Sequence, residues 1–160
     1  ISFRLDTESG RPRTFLNGTD VENQIRTLEV SSHVSPVAAL GFVREALVRQ
    51  QQELGKEKGI VMDGRDIGTT ILPNAEVKIY LTASADTRAK RRALEYEQKG
   101  ESFDLDQIRK DIIERDERDM NREISPLKQA DDAVLVDSSE MGIDDVVNAI
   151  LNVYKEKMQK

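Results

Sequence analysis

The sequence predicts an α/β fold with a parallel β-sheet and flanking helices, and three observations support this. Three short, continuous apolar runs are typical of strands covered on both faces: Ile60–Met62, Val77–Leu81 and Ala133–Val136. Helical stretches separate these runs, which favours parallel pairing through right-handed crossovers. A hairpin-like segment precedes the first run. We therefore expect a small sheet preceded by a mixed α and β segment.

The N-terminal residues predict a β-hairpin. Ile1–Glu8 alternates apolar and polar side chains, as a half-buried strand does. Ser9–Pro12 has the composition of a turn, and Thr14–Asn17 predicts a second short strand.

Helices are expected next. Residues 20–35 have a partly helical pattern. Ser35 and Pro36 then predict an N-cap and a first helical residue, for a helix that runs to about Leu54. The lysine-rich residues 55–59 predict a loop and the weakest boundary, so we divide the chain into residues 1–54 and 55–160.

The second part carries three predicted helices, which are Ser84–Gln98, about Asp104–Glu123, and Gly142–Met158. Three strands are few for a sheet of this kind. Together with a first residue that is Ile1, this leads us to expect that an N-terminal unit is missing.

Composition excludes several classes of protein. The 160 residues carry a net charge of −6, which disfavours general nucleic-acid binding. Cysteine is absent, so disulfides and thiolate chemistry are excluded and a reducing cytoplasm is expected. No apolar run approaches the length of a membrane span.

Two carboxylates and an arginine follow the first predicted strand directly, as Asp63, Arg65 and Asp66. Ligands of open α/β sheets collect at the carboxyl ends of the strands. Arginine offers a planar fork for phosphate, and a carboxylate can hold Mg²⁺ through water or orient the arginine. A tight turn with a local ion pair remains the alternative.

A row of charged side chains lies on one face of the predicted helix Asp104–Glu123, since Arg115, Asp119 and Arg122 are spaced at i, i+4 and i+7. The same stripe begins apolar, with Ile108 and Ile112, so the first half is expected to dock. The charged half suits a phosphate clamp with a hydroxyl acceptor, or else it is a solvated, salt-bridged helix end.

A third basic group lies in the helix after Val77–Leu81, and a solvated basic face is its alternative. Its arginines are Arg88, Arg91 and Arg92. The pattern G-x-x-x-x-G-K-[ST], whose backbone cradles the β- and γ-phosphates of ATP, is not found in the sequence.

Three segments together resemble the bacterial-type cytidylate kinases. They are Ile60–Pro73 (IVMDGRDIGTTILP), Val43–Ala46 (VREA) and Glu114–Lys128 (ERDERDMNREISPLK), in matching order and spacing. The resemblance implies a nucleoside-monophosphate-kinase fold of the P-loop NTPase type. It further implies a CMP-side insert in residues 1–54, a lid at about residues 99–125, and transfer of the γ-phosphoryl group of ATP to CMP or dCMP.

The resemblance also implies roles for individual residues. Ser35, Arg44 and Asp66 would read the cytosine edge. Phosphate and ribose contacts, with the catalytic arginines among them, would come from Arg65, Arg115, Asp119 and Arg122. Asp63 would lie near the water shell of Mg²⁺, and Arg88, Arg91 and Arg92 would lie on the ATP side.

The departure from the family is the missing first strand, phosphate-binding loop and following helix. We expect a monomeric cytidylate kinase when complete, with ATP and Mg²⁺ required, and a chain that is poorly active alone. The alternatives are a non-catalytic CMP-binding domain, a kinase of the same fold with another small acceptor, and a charged helical interaction protein.

Overall fold

In the computed structural model the described residues are 1–159, with the side chains of Leu28 and Ser35 left out. The strands are β1 (Ser2–Leu5), β2 (Pro12–Leu16), β3 (Thr19–Asp20), β4 (Ile79–Thr82) and β5 (Val134–Asp137). The helices are α1 (Leu28–Ala38), α2 (Gly41–Lys56), α3 (Ala85–Lys99), α4 (Leu105–Asn121) and α5 (Ile143–Met158). The chain divides into two compact units, Ile1–Glu45 and Ala46–Lys160.

The first unit contains an antiparallel sheet with the strand order β1-β2-β3. The β1–β2 hairpin confirms the sequence prediction, with Ser2 opposite Phe15 and Leu5 opposite Pro12. The third strand was not predicted, although its signal is present. Asn17 and Gly18 join β2 to β3 with φ angles of 51° and 84°, and Asn-Gly is the dipeptide that favours such a tight hairpin turn.

The predicted helix start at Ser35 is wrong. Ser35 and Pro36 lie inside α1, which ends at Ala38, and a separate helix begins at Gly41. Proline has no backbone N–H, so Pro36 removes one hydrogen bond of the helix two residues before α1 ends. The sequence pattern resembled an N-cap because serine followed by proline is typical of that position.

The second unit contains a parallel pair of strands, as predicted. β4 and β5 are in register from Ile79 opposite Val134 to Thr82 opposite Asp137. The crossover between them carries α3 and α4, and α5 follows β5. The three predicted helices of this unit are therefore confirmed within a few residues at each end.

The predicted strand at Ile60–Met62 is wrong for the described residues, because the segment forms no ladder with another strand. Val61 is fully exposed. A continuous apolar run forms a strand only where neighbouring strands bond its backbone and cover its faces. In residues 1–159 the two parallel strands pair with each other and leave this segment without a partner.

The helices α3 and α4 pack through small apolar side chains. Ala89, Ala93 and Ile108 are buried together, and Tyr96 and Ile112 pack against them. Each helix begins with a side-chain cap, because the Ser84 hydroxyl accepts from the Thr87 amide and the Asp104 carboxylate from the Gln107 amide. This packing confirms that α4 docks by its first half.

We expect Ile108→Ala to lower the free energy of unfolding by about 2–5 kcal/mol, because it empties the α3–α4 contact. The measurement is the urea midpoint. Ile143→Ala is the matched control, since Ile143 is 84% exposed, and it should change stability by less than about 0.5 kcal/mol. Equal losses from the two substitutions would contradict the packing described here.

Candidate active site: an arginine–carboxylate cluster

Asp66 is held inside the second unit by the backbone that follows it. A π-helical turn, Ile67–Ile71, begins directly after Asp66, and the Asp66 carbonyl accepts the amides of Thr70 and Ile71 at 2.9 and 3.2 Å. Asp66 as a whole is 4% exposed. A buried carboxylate requires cationic or hydrogen-bonding partners, so its surroundings are informative.

Asp119 is the second buried carboxylate, and it is 5% exposed. Its Oδ2 accepts a hydrogen bond from Nε of Arg65 at 3.0 Å and lies 3.9 Å from Nε of Arg115. Its backbone carbonyl accepts the amide of Leu127 at 2.8 Å, which returns the chain after α4 to this point. Asp119 therefore joins the loop after residue 62 to α4.

Arg122 pairs with the first buried carboxylate, Asp66, which is next to Arg65 in the sequence. Its Nη2 lies 3.7 Å from Oδ1 of Asp66, and its Nε donates to the carbonyl of Ser125 at 2.6 Å. Five residues predicted as site residues are thus brought together, and we call them the arginine–carboxylate cluster: Arg65, Asp66, Arg115, Asp119 and Arg122.

Two guanidinium groups of the cluster have unmet hydrogen-bonding capacity. Nε of Arg115 and Nη2 of Arg122 are buried and have no hydrogen-bond partner, although each lies within ion-pair distance of a carboxylate. Burial, and then the nearby charge of Arg65, lower the pKa of Arg115 below its ordinary value. Such a site gains free energy when an anion supplies the missing acceptors.

A cleft of about 250 Å³ adjoins the cluster between α3 and α4. Eight residues line it: Arg65, Arg88, Arg91, Arg92, Glu95, Ile112, Arg115 and Asp116. Five of these are arginines, although the whole chain has a net charge of −6. We call this surface the arginine cleft, and its excess of positive charge suits a polyphosphate.

The three arginines predicted for the ATP side all line this cleft, but they are engaged differently. Arg88 binds Asp116, and Arg91 donates to the Ser138 hydroxyl at 3.2 Å and to the carbonyls of Ser138 and Met141 at 2.6 and 3.0 Å. Arg91 thereby ties α3 to the loop after β5. Arg92 has neither a hydrogen bond nor an ion pair to another of the residues that the structure describes.

The other predicted site residues lie elsewhere. Arg44 is half-buried on the first turn of α2, in the first unit, and the side chain of Ser35 lies outside what the structure describes. Asp63 is exposed, in the irregular segment before Gly64. Among residues 1–159 no group of three or more His, Asp or Glu side chains could hold a metal ion.

Asp116 is the site residue that the sequence analysis missed. From the sequence, only ion pairs between residues of α4 itself were considered. Asp116 instead forms an ion pair with Arg88 on the neighbouring helix α3. The helix does contain two pairs of its own, Lys110 with Glu114 and Arg115 with Asp119. The only available signal was the position of Asp116 beside Arg115, which does not predict a contact with another helix.

Buried carboxylates, guanidinium groups with unmet hydrogen bonds and a basic cleft are the features of a site for a phosphorylated ligand. No helix within residues 1–159 is long and apolar enough to cross a bilayer.

Comparison with known proteins identifies the family. The family model described as cytidylate kinase matches residues 1–156. A cytidylate kinase of Bacteroides fragilis is 56% identical over 159 residues, which cover 99% of this chain and 69% of that protein. One from Phocaeicola vulgatus is 63% identical over 143 residues, covering 89% and 62%. One from Bacillus cytotoxicus is 49% identical over 161 residues, covering 99% and 72%.

The chain therefore belongs to the cytidylate kinase family, with the α/β fold of nucleoside-monophosphate kinases. Members of this family are (d)CMP kinases, phosphotransferases that pass a phosphoryl group from ATP to CMP or dCMP. The chain spans between 62% and 72% of the length of these three relatives.

We expect Asp119→Asn to lower the free energy of unfolding by about 1–2 kcal/mol, because it removes the charged acceptor of Arg65. The loss stays below that of a fully buried ion pair, since Arg65 is 43% exposed. Urea unfolding measures it. Glu117→Gln, an exposed change on the same helix, is the control and should shift stability by less than about 0.5 kcal/mol. A neutral result for Asp119→Asn would show that the Arg65–Asp119 contact does not hold α4 in place.

Proposed function

We propose that the arginine–carboxylate cluster is the CMP site of a (d)CMP kinase and that the arginine cleft receives the phosphates of ATP. The observation that carries the proposal is the pair of buried, unbonded guanidinium atoms, Nε of Arg115 and Nη2 of Arg122. A phosphate dianion is a good acceptor for such groups, because guanidinium–phosphate pairing is strong and directional.

Charge supports the same assignment. The pKa of Arg115 is lowered by its burial and by the neighbouring Arg65, so the cation is held at a cost in free energy. An incoming phosphate reduces that cost, whereas a neutral ligand does not. We assign phosphate contacts to Arg65 and Arg122, and ribose and phosphate contacts to Arg115 and Asp119.

The base and the sugar require polar groups of defined orientation. Asp66 is buried and fixed by its turn, so it is suited to accept from the amino group of cytosine. The family resemblance implies that Ser35 and Arg44 also read the cytosine edge, and this stays a prediction. Asp119 presents an acidic acceptor for a ribose hydroxyl beside the phosphate-binding arginines.

On the donor side, Arg92 is the arginine best placed to bind ATP. It lines the arginine cleft and has no partner among the described residues. Arg91 already donates three hydrogen bonds to the segment Ser138–Met141, so we expect it to shape the cleft more than to bind phosphate.

A magnesium ion fits this site only with help from the substrate. Proteins hold Mg²⁺ through one or two carboxylates together with waters and substrate phosphates. Asp63 is a single exposed carboxylate, which suits a contact through water. When bound, the ion would neutralise charge on the transferring phosphoryl group.

Phosphoryl transfer makes few covalent demands on a protein. It requires the two nucleotides in line, arginines that neutralise the developing charge, and exclusion of water. Arg65, Arg115 and Arg122 meet the second requirement on the acceptor side. We assign no general base.

We further propose that this chain alone is poorly active, because its sequence lacks a phosphate-binding loop of the pattern G-x-x-x-x-G-K-[ST]. The same observation favours the second candidate function, a chain that binds CMP without turnover. The segment Ile60–Met62 is apolar and forms no ladder with another strand among the described residues. A monomeric state for the complete enzyme stays a prediction.

We expect this chain to bind CMP, and not AMP, in a calorimetric titration, because Asp66 selects the base while the arginines bind the phosphate. Arg115→Ala should weaken CMP binding by about 10–100-fold, the loss expected for one charged hydrogen-bonding partner. Arg118→Ala is the matched control, since Arg118 is an exposed arginine of the same helix, and should change the affinity by less than about twofold. Equal affinity for AMP and CMP would refute the base assignment.

We expect turnover when the chain is joined to the part of the Bacteroides fragilis relative that it does not cover; we call this protein the completed chain. The measurement is ADP production from ATP and CMP, with the 160-residue chain as control. Rapid turnover by the control would contradict the proposed dependence on a phosphate-binding loop. A folded, CMP-binding but inactive completed chain would favour the non-catalytic alternative.

A further inference from the structure

Asp116 and Arg88 form the one described ion pair in which both partners line the arginine cleft. Arg88 lies on α3 and Asp116 on α4. Nη1 of Arg88 donates to Oδ1 of Asp116 at 3.0 Å, and Nη2 donates to Oδ2. Nε of Arg88 donates to the carbonyl of Ala83, the residue after β4, at 3.1 Å. Arg88 is thus fixed at three of its nitrogen atoms.

Counting donors shows that the pair still has capacity to bind a ligand. A guanidinium carries five N–H groups, and three of those of Arg88 are used. The remaining two are on Nη1 and Nη2, and the side chain is 36% exposed. A cleft ligand can therefore bond Arg88 without displacing Asp116.

The charge of Asp116 also has a local effect. Its hydrogen bonds raise the pKa of Arg88 above its ordinary value, so Arg88 keeps its proton among the other arginines of the cleft. Without a fixed anion, neighbouring guanidinium groups repel one another and lose their orientation. A preorganised arginine loses less conformational entropy when phosphate binds.

A second ion pair between the same helices provides a comparison. Nε of Arg109 on α4 donates to Oδ1 of Asp86 on α3. Both side chains are more than half exposed, and neither residue lines the cleft. The two pairs share a helix–helix linking role, and only the Arg88–Asp116 pair faces the proposed site.

We propose that Asp116 is a positioning residue, which holds the Arg88 guanidinium in the orientation that binds the triphosphate of the donor nucleotide. The inference rests on the assignment of the arginine cleft to ATP. It adds to that assignment a residue that touches no nucleotide and acts through Arg88.

The test compares Asp116→Asn with Asp86→Asn in the completed chain, by steady-state kinetics with ATP and CMP varied in turn. We expect Asp116→Asn to raise the KM for ATP about tenfold, equivalent to about 1.4 kcal/mol, and to leave the KM for CMP within about twofold. Asp86→Asn should leave both constants unchanged. Urea midpoints should fall similarly in the two variants, because each loses one interhelical ion pair.

The double variant Arg88→Ala, Asp116→Asn separates positioning from a general electrostatic effect. If Asp116 acts through Arg88, the double variant has the same KM for ATP as Arg88→Ala alone. Additive losses would overturn the proposal, as would a lower KM for ATP in Asp116→Asn, which would make Asp116 a competitor of phosphate. A wrong functional assignment would give a different result: the completed chain without any substitution would not phosphorylate CMP.

Discussion

The site depends on one buried anion, the carboxylate of Asp119. It accepts the Arg65 side chain from the loop before the π-helical turn and lies within ion-pair distance of Arg115 on its own helix. The carbonyl of the same residue accepts the amide of Leu127. The loop that contains Arg65, 54 residues away in sequence, and the segment that follows α4 therefore both meet α4 at one residue. A buried carboxylate without these cations would cost several kcal/mol, so the fold and the charge pattern constrain each other.

The apolar contact between α3 and α4 determines where this charged group lies. Ala89 and Ala93 are small, so the two helices approach closely, and Ile108 fills the space between them. The charged second half of α4 is then directed toward the loop that follows residue 62. Arg91 fixes the position of α3 relative to the sheet, because it donates hydrogen bonds to the loop after β5. The same α3–α4 hairpin thus contributes residues to both proposed nucleotide sites.

The sequence predicts much of this architecture because its strongest signals are local. The hairpin, the parallel strands and the helices from α3 onward follow from periodicity and turn residues alone. Failures occurred where a distant partner decides the outcome. Ile60–Met62 has the composition of a strand, but a strand also needs a neighbour. Ser35 and Pro36 have the composition of a helix start, but the preceding turns continue the helix through them.

For the site, too, the local features were predictable from the sequence and the long-range contacts were not. The row on α4 follows from helical spacing, and the residues after Met62 follow from a family motif. The contact of Arg65 with Asp119 spans 54 residues and no local pattern encodes it. Asp116 and Arg88 are 28 residues apart and lie on different helices, so no local sequence pattern predicts their pairing either. A single sequence reveals which residues are charged and which face they share, and the tertiary fold decides which opposite charges meet.

The apolar interior of the described chain is small, and this has a thermodynamic consequence. Seven hydrophobic residues are buried, three of them alanine, and no large side chain in residues 1–159 is fully enclosed. A core of this size contributes a free energy of burial that only slightly exceeds the conformational entropy lost on folding. A ligand that binds only the folded state adds to that margin by mass action, about 2.7 kcal/mol at one hundred times its dissociation constant. If CMP binds the folded chain as proposed, the folded fraction would rise with CMP concentration, so stability would depend on the ligand as well as on the sequence.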